Sequence, residues 1–309
     1  VYSKLAIALP NIFAPYLGGL FNQVSSKITS LDRLISSLRK VDWIISHNLT
    51  PINDALYLAR KLNSKVAVII HNPTYPPSLT NYFLITLTGK CTKSSMKLDI
   101  KSLKNVNTVL AIHKYNVDLV KKLYGINAIS TFLGCDPLPQ IPNKRGNFLL
   151  VPLRMSIGKR VHILAEAIAA ADKTFKVIFA GARHYTTPKV LKLIRRTGLR
   201  NYKVLLNVPR RTFARLFLNC RAAIYGLSET DFLMPASYGA PIVCLNKKYA
   251  YGILKNGVHG YIIKSTKEDI PIDDYANSIL KLITNERLAW KMGYEAWKIA
   301  QTNTWLHAT

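Results

Sequence analysis

Short apolar runs alternate with longer amphipathic stretches along the whole chain, a rhythm that predicts βα units wound into parallel sheets. Leu5-Ala6-Ile7-Ala8-Leu9 reads as a first strand. A Pro/Gly loop reaching Gly18-Gly19 follows. Phe21, Val24, Ile28, Leu31 and Ile35 then recur at three- and four-residue steps, which predicts a helix over 20–40. The strand Trp43-Ile44-Ile45, a helix over 52–62 and a strand over 66–70 come next. The polar, proline-bearing segment 71–77 interrupts the pattern, and strands resume at 108–111 and 128–132.

Residues 134–146 hold three prolines and two glycines among few apolar side chains, and they predict a linker dividing the chain nearly in half. The same rhythm then restarts. It predicts strands at 148–152, 176–180, 203–206, 222–225 and 241–244, and helices at 161–171, 188–197, 211–220 and 234–239. A last helical stretch over 271–302 carries Trp290 and Trp297 seven residues apart on one face, where core packing is the expected role.

At 309 residues and 49% hydrophobic, the chain has room for two domains of about 150 residues each. The expected division is 1–140, 141–285 and a closing helix at 286–309 that could cross back to the first domain. No uninterrupted apolar run reaches the ~20 residues of a membrane span, and Val1-Tyr2-Ser3-Lys4 does not open a secretory signal. Cys91, Cys135, Cys220 and Cys244 form no C-x-x-C pair. They read as free thiols of a reducing, cytoplasmic setting rather than as metal ligands. The sequon Asn48-Leu49-Thr50 carries no weight in that setting.

Charge changes the picture more. Lys and Arg number 43 against 16 Asp and Glu, a net +27, and residues 173–221 hold thirteen of the cations with no acid at all. Such a field attracts polyanions: phosphorylated substrates, an anionic membrane surface on which the protein would sit peripherally, or nucleic acid. A solvated basic face is the plain alternative. Aromatics are not interleaved with these cations, which weakens the nucleic-acid reading.

One pair of cations is placed where chemistry could use it. Arg154 and Lys159 stand five residues apart, directly after the apolar run Phe148-Leu149-Leu150-Val151. A planar guanidinium fork and a mobile ammonium at the carboxyl end of a strand suit the oxygens of a diphosphate.

Around that pair the second half resembles the donor-binding domain of the family 4 glycosyltransferases of GT-B fold. Leu153-Arg154 through Lys159-Arg160 matches the charged positions of the family's G-R-x-x-x-x-K-G. Ala180-Gly181 matches its next strand end, and Asn207 stands for a later glycine. Ser237-Tyr238-Gly239-Ala240-Pro241-Ile242-Val243 echoes its A-x-G-x-P-V, and Gly260-Tyr261-Ile262-Ile263 its N-G-x-L-V turn. Leu288 through Trp305 resembles its closing helix and aromatic tail. In the first half, Val41–His47, Val68–Asn72 and Phe132–Pro137 match more loosely, with two strands usual in that domain missing.

The resemblance implies two Rossmann-like domains facing a cleft. It also implies transfer of a hexosyl group from a nucleotide-sugar, with retention at the anomeric carbon and no metal or other cofactor. The absence of a D-x-D triplet agrees with that. Arg154 and Lys159 would neutralise the departing diphosphate, with His71 contacting the sugar or acceptor and His47 a weaker candidate. Backbone at Gly18, Gly19, Gly181, Val208, Leu233 and Met234 would line the nucleotide. The family's paired glutamates fall on Gly226 and Met234, which leaves Glu229 and Asp231 as the nearby acids. The acceptor stays open among lipid, glycan, protein and DNA. A basic, apolar segment over 82–97 is one membrane-facing candidate, with a buried helix its alternative. A relative that kept the fold and lost catalysis, acting as a nucleic-acid- or membrane-binding module, is the alternative from another class.

Overall fold

A computed structural model describes residues 41–47, 52–70, 100–112, 114–131, 134–226, 232–245, 253–264 and 270–304, with the backbone of 5–8. Gly18, Gly19, His71, Glu229, Asp231 and the 82–97 segment lie outside the described residues. The chain divides into two compact units, Val1–Phe132 and Leu133–Thr309.

In the first unit, β1 (Leu5–Ala8), β2 (Trp43–His47), β3 (Lys65–Ile70), β4 (Thr108–Ile112) and β5 (Ile129–Thr131) form a parallel sheet. Its order is β1-β2-β3-β4-β5. Helix α1 (Ile52–Leu62) joins β2 to β3 and buries Ile52, Ala55, Leu56, Leu58 and Ala59, the one-sided spacing of an amphipathic helix. Asp54 in its first turn and Arg60 and Lys61 in its last complement the helix dipole. Helix α2 (Lys114–Tyr124) joins β4 to β5.

In the second unit, β6 (Phe148–Val151), β7 (Lys176–Gly181), β8 (Tyr202–Leu206), β9 (Ala222–Ile224), β10 (Ile242–Leu245) and β11 (Gly260–Ile263) are also all parallel. Their order is β8-β7-β6-β9-β10-β11. The central strands β6, β9 and β10 are continuous apolar runs, Leu149 through Val151, Ala222 through Ile224 and Ile242 through Leu245. Each is buried on both faces, as a helix-covered parallel sheet requires. The helices are α3 (Val161–Ala171), α4 (Thr187–Arg196), α5 (Arg210–Asn219), α6 (Leu233–Ser237), α7 (Ile272–Thr284) and α8 (Glu286–Thr302). Helix α7 packs along α3, and α8 along α6.

Segment 134–146 is tied down within the second unit. Cys135 pairs with Thr304, and Leu138 N donates to Ser237 O at 3.1 Å. Leu138 O accepts from Trp297 Nε1 at 2.8 Å and Gln301 Nε2 at 2.9 Å, while Pro142 O accepts from Trp290 Nε1 at 2.9 Å. The two tryptophans are half-buried rather than core, stacking with Tyr294 between them at 5.3 and 5.7 Å. An indole N–H needs a partner when covered, and these carbonyls supply it. Arg145 is buried, its guanidinium donating to Cys220 O (2.9 Å), Phe217 O (2.6 Å) and Tyr238 O (3.2 Å). It thereby satisfies carbonyls at the carboxyl end of α5, where the helix dipole favours a cation. Cys135, Cys220 and Cys244 are buried free thiols, and burial pushes the Cys244 thiol up to about 12.

Candidate functional site

In the second sheet, successive connections leave β6 in opposite directions. The carboxyl ends of the strands at such a reversal are where doubly wound folds take their ligands. Arg154 and Lys159 belong to the segment leaving β6, and Gly226 to the one leaving β9. The two segments meet: a Cβ on Gly226 would sit 3.3 Å from the Lys159 carbonyl oxygen.

The local sequence explains how Arg154 comes to face solvent. Leu153, Met155 and Ser156 are buried, anchoring the segment from both sides, and Arg154 between them is exposed. The anchor is shared with β7. A Cβ on Gly181 would fall 2.1 Å from Leu153 O, so only glycine permits this approach, and Met155 N donates to Ala182 O at 3.0 Å.

The loop after β7 closes round the same segment. Buried Thr187 donates through Oγ1 to Met155 O (2.9 Å) and accepts from His184 N (2.8 Å). Ile157 N donates to Thr186 Oγ1 at 3.2 Å. The result is a cleft of about 470 Å³ lined by Arg154, Ser156, Ile157, Gly158, His184, Tyr185, Thr186 and Lys189. His184 Nδ1 accepts from Thr186 N at 3.3 Å and lies 2.9 Å from Thr186 Oγ1, which leaves its proton on Nε2 in the neutral ring. Desolvation first, and then the Arg154 charge beside it, lower the His184 pKa from its ordinary 6.5.

Residues 157–159 form one 3-10 turn, and Arg160 then takes φ 50°, ψ 33° before α3 begins. That left-handed conformation is the one glycine adopts freely, and glycine is what the resembled motif carries there. Asn207 likewise stands at φ 52° where a glycine was expected. Its N–H donates to Gly181 O (2.9 Å) and its Oδ1 accepts from Arg183 N (3.0 Å), tying the loops after β7 and β8 together.

The sequence matches no protein-family profile and no curated protein. Solved structures do match it. HepE of Anabaena, solved with UDP and glucose, superposes at a TM-score of 0.71 with 14% identity over 97% of this chain and 94% of that one. A glycosyltransferase of Rickettsia africae gives 0.65 and 14% over 98% and 86%. TarM gives 0.64 and 17% over 85% of this chain, and this chain spans about half of TarM's length, 52%.

The fold is GT-B.

Within this GT-B chain the expected residues fall unevenly. Arg154 lines the cleft, and Gly181, outside its lining, packs closely against Leu153 O. Lys159 is half-buried and lies just beyond, its carbonyl against Gly226. Val208 is half-buried in the loop after β8. Leu233 is buried at the start of α6, with Met234 half-buried beside it. His47 ends β2 in the first unit, half-buried, and desolvation lowers its pKa. Reasoning from sequence missed His184, Tyr185, Thr186 and Lys189. The signal was present, since a His-Tyr-Thr-Thr run directly follows a strand end marked by glycine. Among the described residues no group of three His, Cys, Asp or Glu could hold a metal ion, and no helix is long and apolar enough to cross a membrane.

Proposed function

We propose that the chain is a glycosyltransferase that moves a hexosyl group from a nucleotide-diphosphate sugar to an acceptor hydroxyl. One observation carries this reading: the Arg154–Lys159 segment lies at the reversal point of the second sheet, beside the junction with the segment leaving β9. In the reaction the bond from the anomeric carbon to the diphosphate oxygen breaks as the acceptor oxygen bonds to that carbon, and the acceptor's hydroxyl proton passes to the departing diphosphate oxygen. Negative charge grows on the departing diphosphate. Cations fixed in advance stabilise that charge more in the transition state than in the bound donor. Arg154 and Lys159 supply it, in place of a metal ion. HepE was solved with UDP-glucose and the pneumococcal transferase GtfA with UDP and GlcNAc, which supports a nucleotide-sugar donor. We assign retention of anomeric configuration and a sugar-contacting role for His71 on the resemblance alone.

The second reading is a relative that has lost catalysis. Gly226 and Met234 stand where the resembled family carries carboxylates, and a side chain at Gly226 would start tight, its Cβ 3.3 Å from the Lys159 carbonyl oxygen and 3.4 Å from the Leu164 and Ile270 side chains.

Calorimetry with UDP, GDP and ADP and their sugars separates the two. Wild type is expected to bind one nucleotide-sugar. Arg154→Ala/Lys159→Ala should weaken that by about 100-fold or more, since a hydrogen bond to a charged group contributes about 1.5–3 kcal/mol. A folded wild type that binds none of them overturns the transferase reading.

A further inference from the structure

A donor site accounts for two or three cations and leaves the most uneven charge in the chain unexplained. Of the thirteen Lys and Arg between 173 and 221, Arg221 is buried and paired with Glu286 at 3.4 Å, while the other twelve are exposed. Helix α4 organises four of them. Thr187, Val190 and Ile194 face the core, and Lys189, Lys192, Arg195 and Arg196 project from the opposite side. At its carboxyl end, Arg200 N donates to Lys173 O at 2.9 Å and Asn201 Nδ2 to Thr174 O at 3.2 Å, bringing Lys173 and Lys176 alongside. The nearby Asp172 carboxylate is turned back onto Thr174 and Phe175.

The amino end of α4 adds apolar surface to this charge. Tyr185, in the loop after β7, is 87% exposed and Leu206, the last residue of β8, 37%, beside the Asn207 bonds to Gly181 and Arg183. Arg183, Lys189 and Arg210 are exposed on and beside the loops after β7 and β8, Arg210 facing Asp136 at 3.7 Å. An aromatic and an aliphatic tip beside a one-signed basic helix is the chemistry of an interfacial anchor.

We propose that this face, α4 with the tips of the loops after β7 and β8, docks the protein on an anionic lipid bilayer. The observations favour lipid over nucleic acid. Lys192, Arg195 and Arg196 project from a convex helix instead of lining a groove, and the exposed aromatic stands at one end instead of between them, so bases have nothing to stack on. Each cation near an anionic surface contributes about a five-fold gain in partitioning. Lys189 and Tyr185 also line the cleft, so a docked bilayer lies at its mouth, where a membrane-borne acceptor could be reached. That last consequence rests on the transferase reading, and the docking does not.

Sedimentation with phosphatidylcholine vesicles, alone and with one third phosphatidylglycerol, tests it. Wild type is expected to bind only the anionic vesicles, and to leave them as salt rises. Lys192→Glu/Arg195→Glu/Arg196→Glu should lose about 100-fold in partitioning or more while keeping its melting temperature and nucleotide binding. Lys114→Glu/Lys121→Glu/Lys122→Glu on α2, exposed residues carrying the same change in charge, should lose less than about 10-fold. Leu206→Ser should weaken binding without changing its salt dependence. Three results overturn the proposal: a wild type that ignores anionic vesicles, equal losses in the two triple variants, or duplex DNA displacing the protein from vesicles at equal phosphate concentration.

Discussion

The two sheets use the same parallel βα vocabulary and differ in order. In the first, the described strands run β1 to β5 side by side, so each connection steps the same way. In the second, the chain steps outward from β6 through β7 to β8, then returns to the other side of β6 with β9. Both sheets have histidines and lysines near their strand ends. Only the second, among the described strands, has a reversal, and there the segments leaving β6, β7 and β9 touch through Leu153, Gly181, Lys159 and Gly226. Strand order, more than residue content, decides where a crevice can form.

The comparison breaks most sharply at Gly181. Gly181→Val leaves every cation in place but drives a side chain into the Leu153 carbonyl. We expect a loss of about 3 kcal/mol in denaturant unfolding, together with loss of nucleotide-sugar binding. Gly158→Ala is the matched control. Nothing lies within 4 Å of its would-be Cβ, and stability should stay within about 0.5 kcal/mol of wild type. Arg145→Met comes next. It strips three carbonyls of their donor in a buried place, and about 2–4 kcal/mol should be lost. Hydrogen exchange should locate that loss in the second unit, with β2, β3 and β4 as protected as before.

These positions also show what the sequence reveals and what it hides. Most strands and helices were legible, because each is short, apolar on the right period and bounded by Gly, Pro or polar residues. No helix was read over 114–124, where α2 lies, and 260–263 was read as a turn although it is β11; the other differences are at ends, as where α4 begins at Thr187, one residue early, because the Thr187 side chain is buried against the segment after β6. Strand order was not legible. It depends on which apolar runs pair across the chain, and runs such as Leu149–Val151 and Ile242–Leu245 are interchangeable as local signals. Asn207 in place of glycine was readable, since asparagine tolerates a left-handed backbone, whereas Arg160 at φ 50° was not. Arg154 was singled out by its place directly after an apolar run and by the resemblance of the segments that follow it. His184 and Lys189 were missed because they reach the cleft from the loop after β7 and the start of α4, which fold onto the segment after β6. Segment 134–146 looked like a free linker because its anchors, Trp290 and Trp297, stand some 150 residues away (148 and 159 for the two bonds).

Arg160 gives a smaller and opposite effect. A left-handed backbone is unfavourable for a residue with a Cβ by about 1–2 kcal/mol, while glycine adds flexibility to the unfolded chain. Arg160→Gly should therefore raise stability by about 0.5 kcal/mol in thermal melts. A clear loss would mean that the arginine side chain contributes more than its backbone conformation costs.

The finest difference between the units lies in two histidines at strand ends. His47, the last residue of β2, is depressed by burial, whereas His184, after β7, is depressed by burial and then by the Arg154 charge. Both rings are held below the ordinary 6.5, so the unfolded chain takes up protons first as pH falls. Each therefore stabilises the fold above about pH 6.5, and its contribution is lost as pH falls from there towards the depressed folded value. Arg154→Ala should raise the His184 pKa in an NMR titration and leave His47 where it was, and added salt should act in the same direction on His184. If both histidines moved together, the Arg154 charge would not be local to the cleft. The contrast between a cation focused at a sheet's reversal point and one spread over a surface would then fail.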